Sequence, residues 1–133
     1  MNGQFDGQYD APPIEPMYEE VVLPEPDKSE RDLAMVTHLV ALLTGFIFPL
    51  VIYLIKKDES VYLRHHAAES LNLQITVILA FILIIPIAFL TCGIGLLLMF
   101  PVAIGSIVVS IIACIAASRG EWYHFPAVIR IVR

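Results

Sequence analysis

The sequence predicts an all-α membrane protein: three transmembrane helices, an unstructured acidic N-terminal tail and a short interfacial C-terminal segment. Three observations carry this prediction. Leu33 to Ile55, Leu71 to Leu90 and Leu96 to Ala117 contain no Asp, Glu, Lys or Arg. Each run is about the length a helix needs to cross roughly 30 Å of hydrocarbon. Hydrophobic residues make up 58% of the 133 and charged residues only 16%, too few charges for a soluble domain to cover that much apolar surface. Finally, the charges are segregated. Most of the acids lie within residues 1–32, and all of the bases except Lys28 and Arg31 lie beyond them. The net charge of −5 therefore describes neither part, and nothing in it calls for a nucleic-acid partner.

Residues 1–28 form the tail. Pro12, Pro13, Pro16, Pro24 and Pro26 fall here among scattered acids and single aromatics. Such a stretch buries too little apolar area to offset its ordering entropy. Pro13 to Pro16 fits a PxxP ligand and Tyr18 lies among acids, but both patterns are short and common by chance. No apolar run near Met1 suggests a cleavable signal, so the first span is expected to direct insertion.

Residues 29–133 form the membrane domain. Ser29 and Asp32 can make a weak capping box, starting a helix through Leu33 to Ile55, with a kink or break expected at Pro49. Ser60 can cap the second helix. Its first part belongs to an amphipathic connector over residues 56–70, where Val61, Tyr62 and Leu63 occur with Arg64, His65, His66 and Glu69, expected to lie at the headgroups or project into the aqueous phase. The span proper is residues 71–90. Thr91 to Gly95 makes a tight turn whose glycines can take positive φ, and the third span follows over 96–117, bent near Pro101. The tail over 119–133 places Trp122 and Tyr123 at the interface, with the remainder running along it as a short helix or strand. Cys92 and Cys114 lie about 30 Å apart along one helix, too far for an intramolecular disulfide.

Three spans put the N-terminal tail and the 91–95 turn on one side, and the connector and C-terminal tail on the other. Lys56, Lys57, Arg64, Arg119, Arg130 and Arg133 then oppose Lys28 and Arg31. The positive-inside rule orients a multi-pass protein of the cytoplasmic membrane with its N-terminus outside and its C-terminus in the cytoplasm. Lys56, Lys57, Arg64, Trp122, Tyr123 and Arg130 are the expected lipid-headgroup contacts.

Helix packing is expected from small and polar residues, which permit close approach and hydrogen bonding in lipid. Ser106, Ser110, Ala113 and Ala117 form a stripe in the third span. Ala34, His38, Ala41 and Gly45 form one in the first, and Glu69, Asn72 and Thr76 share a face of the second, with Gln74 nearby. Polar side chains entering hydrocarbon need partners on another helix.

His65, His66 and Glu69 offer three zinc ligands by residue type. His38 would lie about 26 Å from the connector's end of a continuous first helix and could not reach Glu69. The expectation is that His65 and His66 are solvated or contact lipid phosphate, with no metal site and no cofactor. There is no nucleophile elbow, phosphate loop or acid pair, so no enzymatic activity is expected.

Glu30-Arg31, His38 to Leu43, Lys56 to Ser60, Glu69 to Gln74, Gly120 to Tyr123, Phe125-Pro126 and Ile129-Arg130 recur in order and spacing in one family. Through them residues 30–133 resemble small prokaryotic multi-span membrane proteins of undefined function. That family is distantly similar to the twenty-kilodalton (Tic-type) subunit of the chloroplast inner-envelope import translocon, which implies a remote link to protein transport. The residues themselves leave two readings. One is a non-enzymatic interaction or assembly component that docks lipid and a protein partner or a second copy. The other is an oligomeric transport element with a polar path near Glu69, Asn72, Gln74 and Thr76.

Overall fold

The computed structural model describes residues 22–133, so the reading of residues 1–21 as tail, including the PxxP stretch and Tyr18, lies outside the described residues. The described residues form four α-helices and a short 3₁₀ helix, with no strand among them. α1 spans Lys28–Thr44, α2 Ile47–Lys56, α3 Val61–Leu90 and α4 Met99–Ser118; the 3₁₀ helix Ile94–Leu98 leads into α4.

The first apolar run is not one spanning helix. α1 is capped by Asp27, whose carboxylate accepts from the Glu30 N–H while the Glu30 carboxylate accepts from the Asp27 N–H. This reciprocal box lies two residues before the Ser29–Asp32 pair the sequence suggested. α1 then stops at Gly45, whose φ of 63° and ψ of −131° lie where residues with a Cβ are strained. The break precedes Pro49. Proline therefore falls in the first turn of α2, where its missing N–H costs nothing.

After the break the chain turns back. Ala34 at the start of α1 clusters with Tyr62, Leu63 and Ala117, and Gln74 Nε2 on α3 donates to the Ala41 carbonyl near the other end of α1 (3.2 Å). α1 therefore runs parallel to α3. α2 packs on both α1 and α3 and reaches the start of α3 through the short link after Lys56. Both ends of the 33–55 run thus lie at one end of the molecule, where three crossings had been expected.

Two helical segments, Val61–Leu90 and Ile94–Ser118, are long and apolar enough to cross a membrane; Ile47–Lys56 is too short. They meet through a turn in which Gly93 takes φ 93° and Cys92 φ 50°. Gly95 sits so tightly against α3 that an added Cβ would lie 2.8 Å from the Ala88 nitrogen. Both Cys92 and Cys114 are free thiols.

Burial is uneven along this pair. Among residues 62–73 of α3 only Arg64 is exposed and only His65 is half-buried. Toward the turn, Ile82, Leu83, Phe89, Leu90, Leu97 and Phe100 are exposed. A bare apolar pair joined to a packed polar end is what lipid around one half and a folded core around the other would select.

Candidate functional site

The polar end is closed by residues 121–133, which form neither helix nor strand. They make an irregular strap tied down by side chains of α3 and α2. Glu69 Oε2 accepts the Phe125 N–H (2.9 Å) and Thr76 Oγ1 accepts the Ile129 N–H (3.0 Å). Asn72 Oδ1 accepts the N–H groups of Ile131 and Val132, both at 2.9 Å, and Asn72 Nδ2 donates to the Val132 carbonyl at 2.8 Å. Tyr53 Oη on α2 donates to the main-chain oxygen of Arg133 (2.7 Å). A strap with no ladder of its own thereby obtains the partners its backbone needs. Phe125 anchors it, buried against Leu73 and Ala113.

Beneath the strap lies a histidine pair. His38 Nε2 and His66 Nδ1 are 3.0 Å apart, and His66 Nε2 is 3.1 Å from the Glu121 carbonyl oxygen. A carbonyl only accepts, so His66 carries its proton on Nε2, and His38 Nε2–H donates to His66 Nδ1. That leaves His38 Nδ1 a buried lone pair without a hydrogen-bond partner. Residues 61–70 precede the uncharged stretch of α3. Here burial and the neighbouring His65 hold His66 down at about 4, so it is neutral at neutral pH. Burial, partly offset by the Tyr123 carbonyl at 2.8 Å, also lowers His65. Tyr62, pushed up to about 12 chiefly by burial, stays a phenol and donates to the Ala117 carbonyl at 2.8 Å.

This arrangement corrects the expectation that His66 was solvated or in contact with lipid phosphate and that His38 lay far from the connector; His65 is half-buried. Only a continuous first helix would have kept His38 from the connector. With α1 parallel to α3, His38 and His66 stand at the same height, both buried.

Other expected positions divide. Ser110, Ala113 and Ala117 are buried on α4, which packs against α1; Ser106 is half-buried and donates to the Ala103 carbonyl. Gly45 is not a packing residue, because no atom lies within 4 Å of where its Cβ would be. Its role is to break the helix. Glu69, Asn72 and Thr76 do find partners, but on the strap; Gln74 alone reaches across to another helix.

The expected lipid contacts are partly engaged within the protein. Lys56 pairs with Glu59, and Arg130 Nε lies 3.4 Å from Glu69 Oε1. The Trp122 ring meets Tyr62 edge-on at 5.3 Å between centroids, and Tyr123 meets Phe125 likewise. Lys57 and Arg64 are exposed.

On the outer side of α3 the strap leaves a cleft of about 370 Å³, lined by Arg64, His65, Glu69, Trp122, His124 and Arg130 among others. Ligating atoms of His65, Glu69 and His124 lie within 4.8 Å of one another there. Sequence reasoning missed His124 as a partner of the α3 residues, and Tyr53 and Tyr62 as ties. No spacing signal reveals which side chains an irregular strap will meet.

Together the apolar pair and its polar end define a membrane-associated all-α protein. Residues 29–132 match the profile of the magnetosome magnetite crystal formation protein family. The chain belongs to that family, which fits the expectation of a small prokaryotic membrane protein family. The comparisons lend no support to the more distant similarity to the chloroplast translocon subunit or to a transport role drawn from it. No curated protein and no solved structure matches the chain.

Proposed function

We propose that this chain is a non-enzymatic assembly component that takes part in magnetite crystal formation from within the membrane. The α3–α4 pair crosses the membrane, α1 and α2 enter and return as a re-entrant hairpin, and the strapped polar end faces the cytoplasm. The observation that supports this reading is where the bases fall. All eight Lys and Arg residues belong to the end that holds the start of α1, the α2–α3 link and the strap. The turn over 91–98 has no charge at all, and so complete a bias favours the cytoplasmic side for that end. The N-terminus then shares a side with the C-terminus, unlike in a three-span chain. Lys57 and Arg64 are placed to meet anionic headgroups, and the polar end as a whole is a surface for a protein partner or a second copy.

The engagement of Glu69, Asn72 and Thr76 by the strap supports assembly over conduction, since groups committed to backbone partners do not line an open path. Reporter fusions before Lys28 and after Arg133 test the topology, and should both score cytoplasmic. Opposite sides would refute the hairpin. Removing the chain from a magnetosome-forming host should change crystal size or number, with restoration by the wild-type chain; unchanged crystals would refute the functional reading. Proton or cation flux through reconstituted protein that Glu69→Gln abolishes while the fold persists would replace it with transport.

A further inference from the structure

We propose that His65, Glu69 and His124 form a binding site for a divalent first-row transition metal, open to the cleft at the polar end. The site is assembled from two parts of the chain. His65 and Glu69 are four residues apart on α3 and so share a face; the strap carries His124 over them, its ring centroid 4.6 Å from that of His65. Two imidazoles and a carboxylate suit zinc, iron or cobalt, and three protein ligands with a fourth position left open are typical of sites that exchange a ligand.

The surroundings are those of a prepared site. His65 Nε2 points its proton at the Tyr123 carbonyl at 2.8 Å, leaving the Nδ1 lone pair free to ligate. A backbone carbonyl holding the other nitrogen of a ligating histidine is the usual outer-shell arrangement. Glu69, only 7% exposed at its side chain, is oriented by the Phe125 N–H on Oε2 at 2.9 Å. His124 is exposed and has room to turn. Bonds of about 2.0–2.1 Å would draw the three donor atoms to roughly 3.4 Å from one another. One ligating atom from each residue already lies within 4.8 Å of the others, so closing the set calls for only a modest approach.

Arg64, Arg130 and Arg133 also line the cleft, and their charge opposes a cation. Arg130 is the direct competitor, 3.4 Å from Glu69 Oε1, but its side chain is 48% exposed and can swing into water. This competition separates a site built on Glu69 from binding by stray surface histidines.

The test uses the full, untagged chain in detergent, titrated separately with Zn²⁺ and Co²⁺ against a chromophoric chelator. One equivalent should bind, with Co²⁺ giving the intense visible absorption of a low-coordinate site. His124→Gln should weaken binding at least tenfold, the scale set by losing even an outer-shell group, with an unchanged melting temperature because His124 lies at the surface. Arg130→Gln should tighten binding. Full affinity in His124→Gln, or equal or weaker affinity in folded Arg130→Gln, would overturn the proposal, as would no binding at 100-fold excess metal. The readout is metal affinity alone, so it stands apart from any effect on crystals.

Discussion

Asn72→Leu should free the strap while leaving the helices intact. The wild-type amide makes three hydrogen bonds to the strap, two accepted at Oδ1 and one donated from Nδ2, and Asn72 is fully buried. Leucine keeps the same branched skeleton of heavy atoms, though bulkier, and cannot make any of them. At about 1 kcal/mol net for each bond the loss approaches 3 kcal/mol. Ile131 is exposed and Val132 half-buried, so water can serve the freed backbone groups, and about 2 kcal/mol is the lower figure. Local opening should then become roughly 30- to 150-fold more frequent, since 1.4 kcal/mol is a factor of ten. Hydrogen exchange in detergent reads this directly in a peptide covering 121–133, with peptides from 78–90 and 104–117 as internal controls. Trypsin should also cut after Arg130 more rapidly. Gln74→Leu, which loses one 3.2 Å bond to α1, should leave strap exchange unchanged. If strap exchange in Asn72→Leu matches wild type, side chains of α3 do not hold the strap and the account of the polar end fails.

Three further substitutions probe the backbone and the packing. Gly45→Ala meets open space but a φ of 63°, so a loss of about 1–3 kcal/mol in a detergent unfolding series would come from strain alone; no loss would mean the break is not fixed at Gly45. Gly95→Ala forces a Cβ to 2.8 Å from the α3 backbone at Ala88, and should lower the melting temperature by pushing the 3₁₀ helix off α3; an unchanged melt would refute that contact. Ser110→Leu overpacks the α1–α4 contact and should cost about 1–3 kcal/mol, whereas Ile107→Leu, at an exposed position, should be neutral in the same melts. Equal stability of the two would remove the small-residue stripe from the packing argument.

The sequence made the apolar segments legible because lipid demands long uncharged runs, and the runs over 71–90 and 96–117 do lie within helices long enough to span. It misled over 33–55 because hydropathy counts apolar residues without regard to backbone conformation. Gly45 reads as one small residue in a stripe of small residues, and only its φ and ψ distinguish a packing glycine from a helix-breaking one. One wrong helix then propagated. It set the start of α1 at the far end of the molecule from the start of α3, moved His38 away from His66, and treated residues 56–70 as a surface connector although most of 62–70 is core. The identities of the polar residues were legible: Glu69, Asn72 and Thr76 needed partners, and they have them. That those partners would be backbone N–H groups of the strap was not legible, because an unpaired extended segment has no periodicity to read.

The hairpin and the strap are two answers to one physical demand. α3 enters its apolar stretch carrying Glu69, Asn72 and Thr76, none of which can face hydrocarbon unpaired without substantial cost. The strap brings the complementary defect, a row of backbone N–H groups with no helix or sheet to serve them. Each satisfies the other. This union would still leave a neighbouring face of α3 open, and there α1 supplies Ala34, His38 and Ala41 while α2 returns toward Lys56. A straight first span would have carried residues 45–55 away toward the far interface, and Tyr53 could not then reach the oxygen of Arg133. The break at Gly45 is therefore coupled to the strap. A Gly45 variant that straightened the helix should raise hydrogen exchange at 121–133 even though Gly45 touches none of it, and strap exchange that stayed unchanged while α1 and α2 fused would show that hairpin and strap form independently.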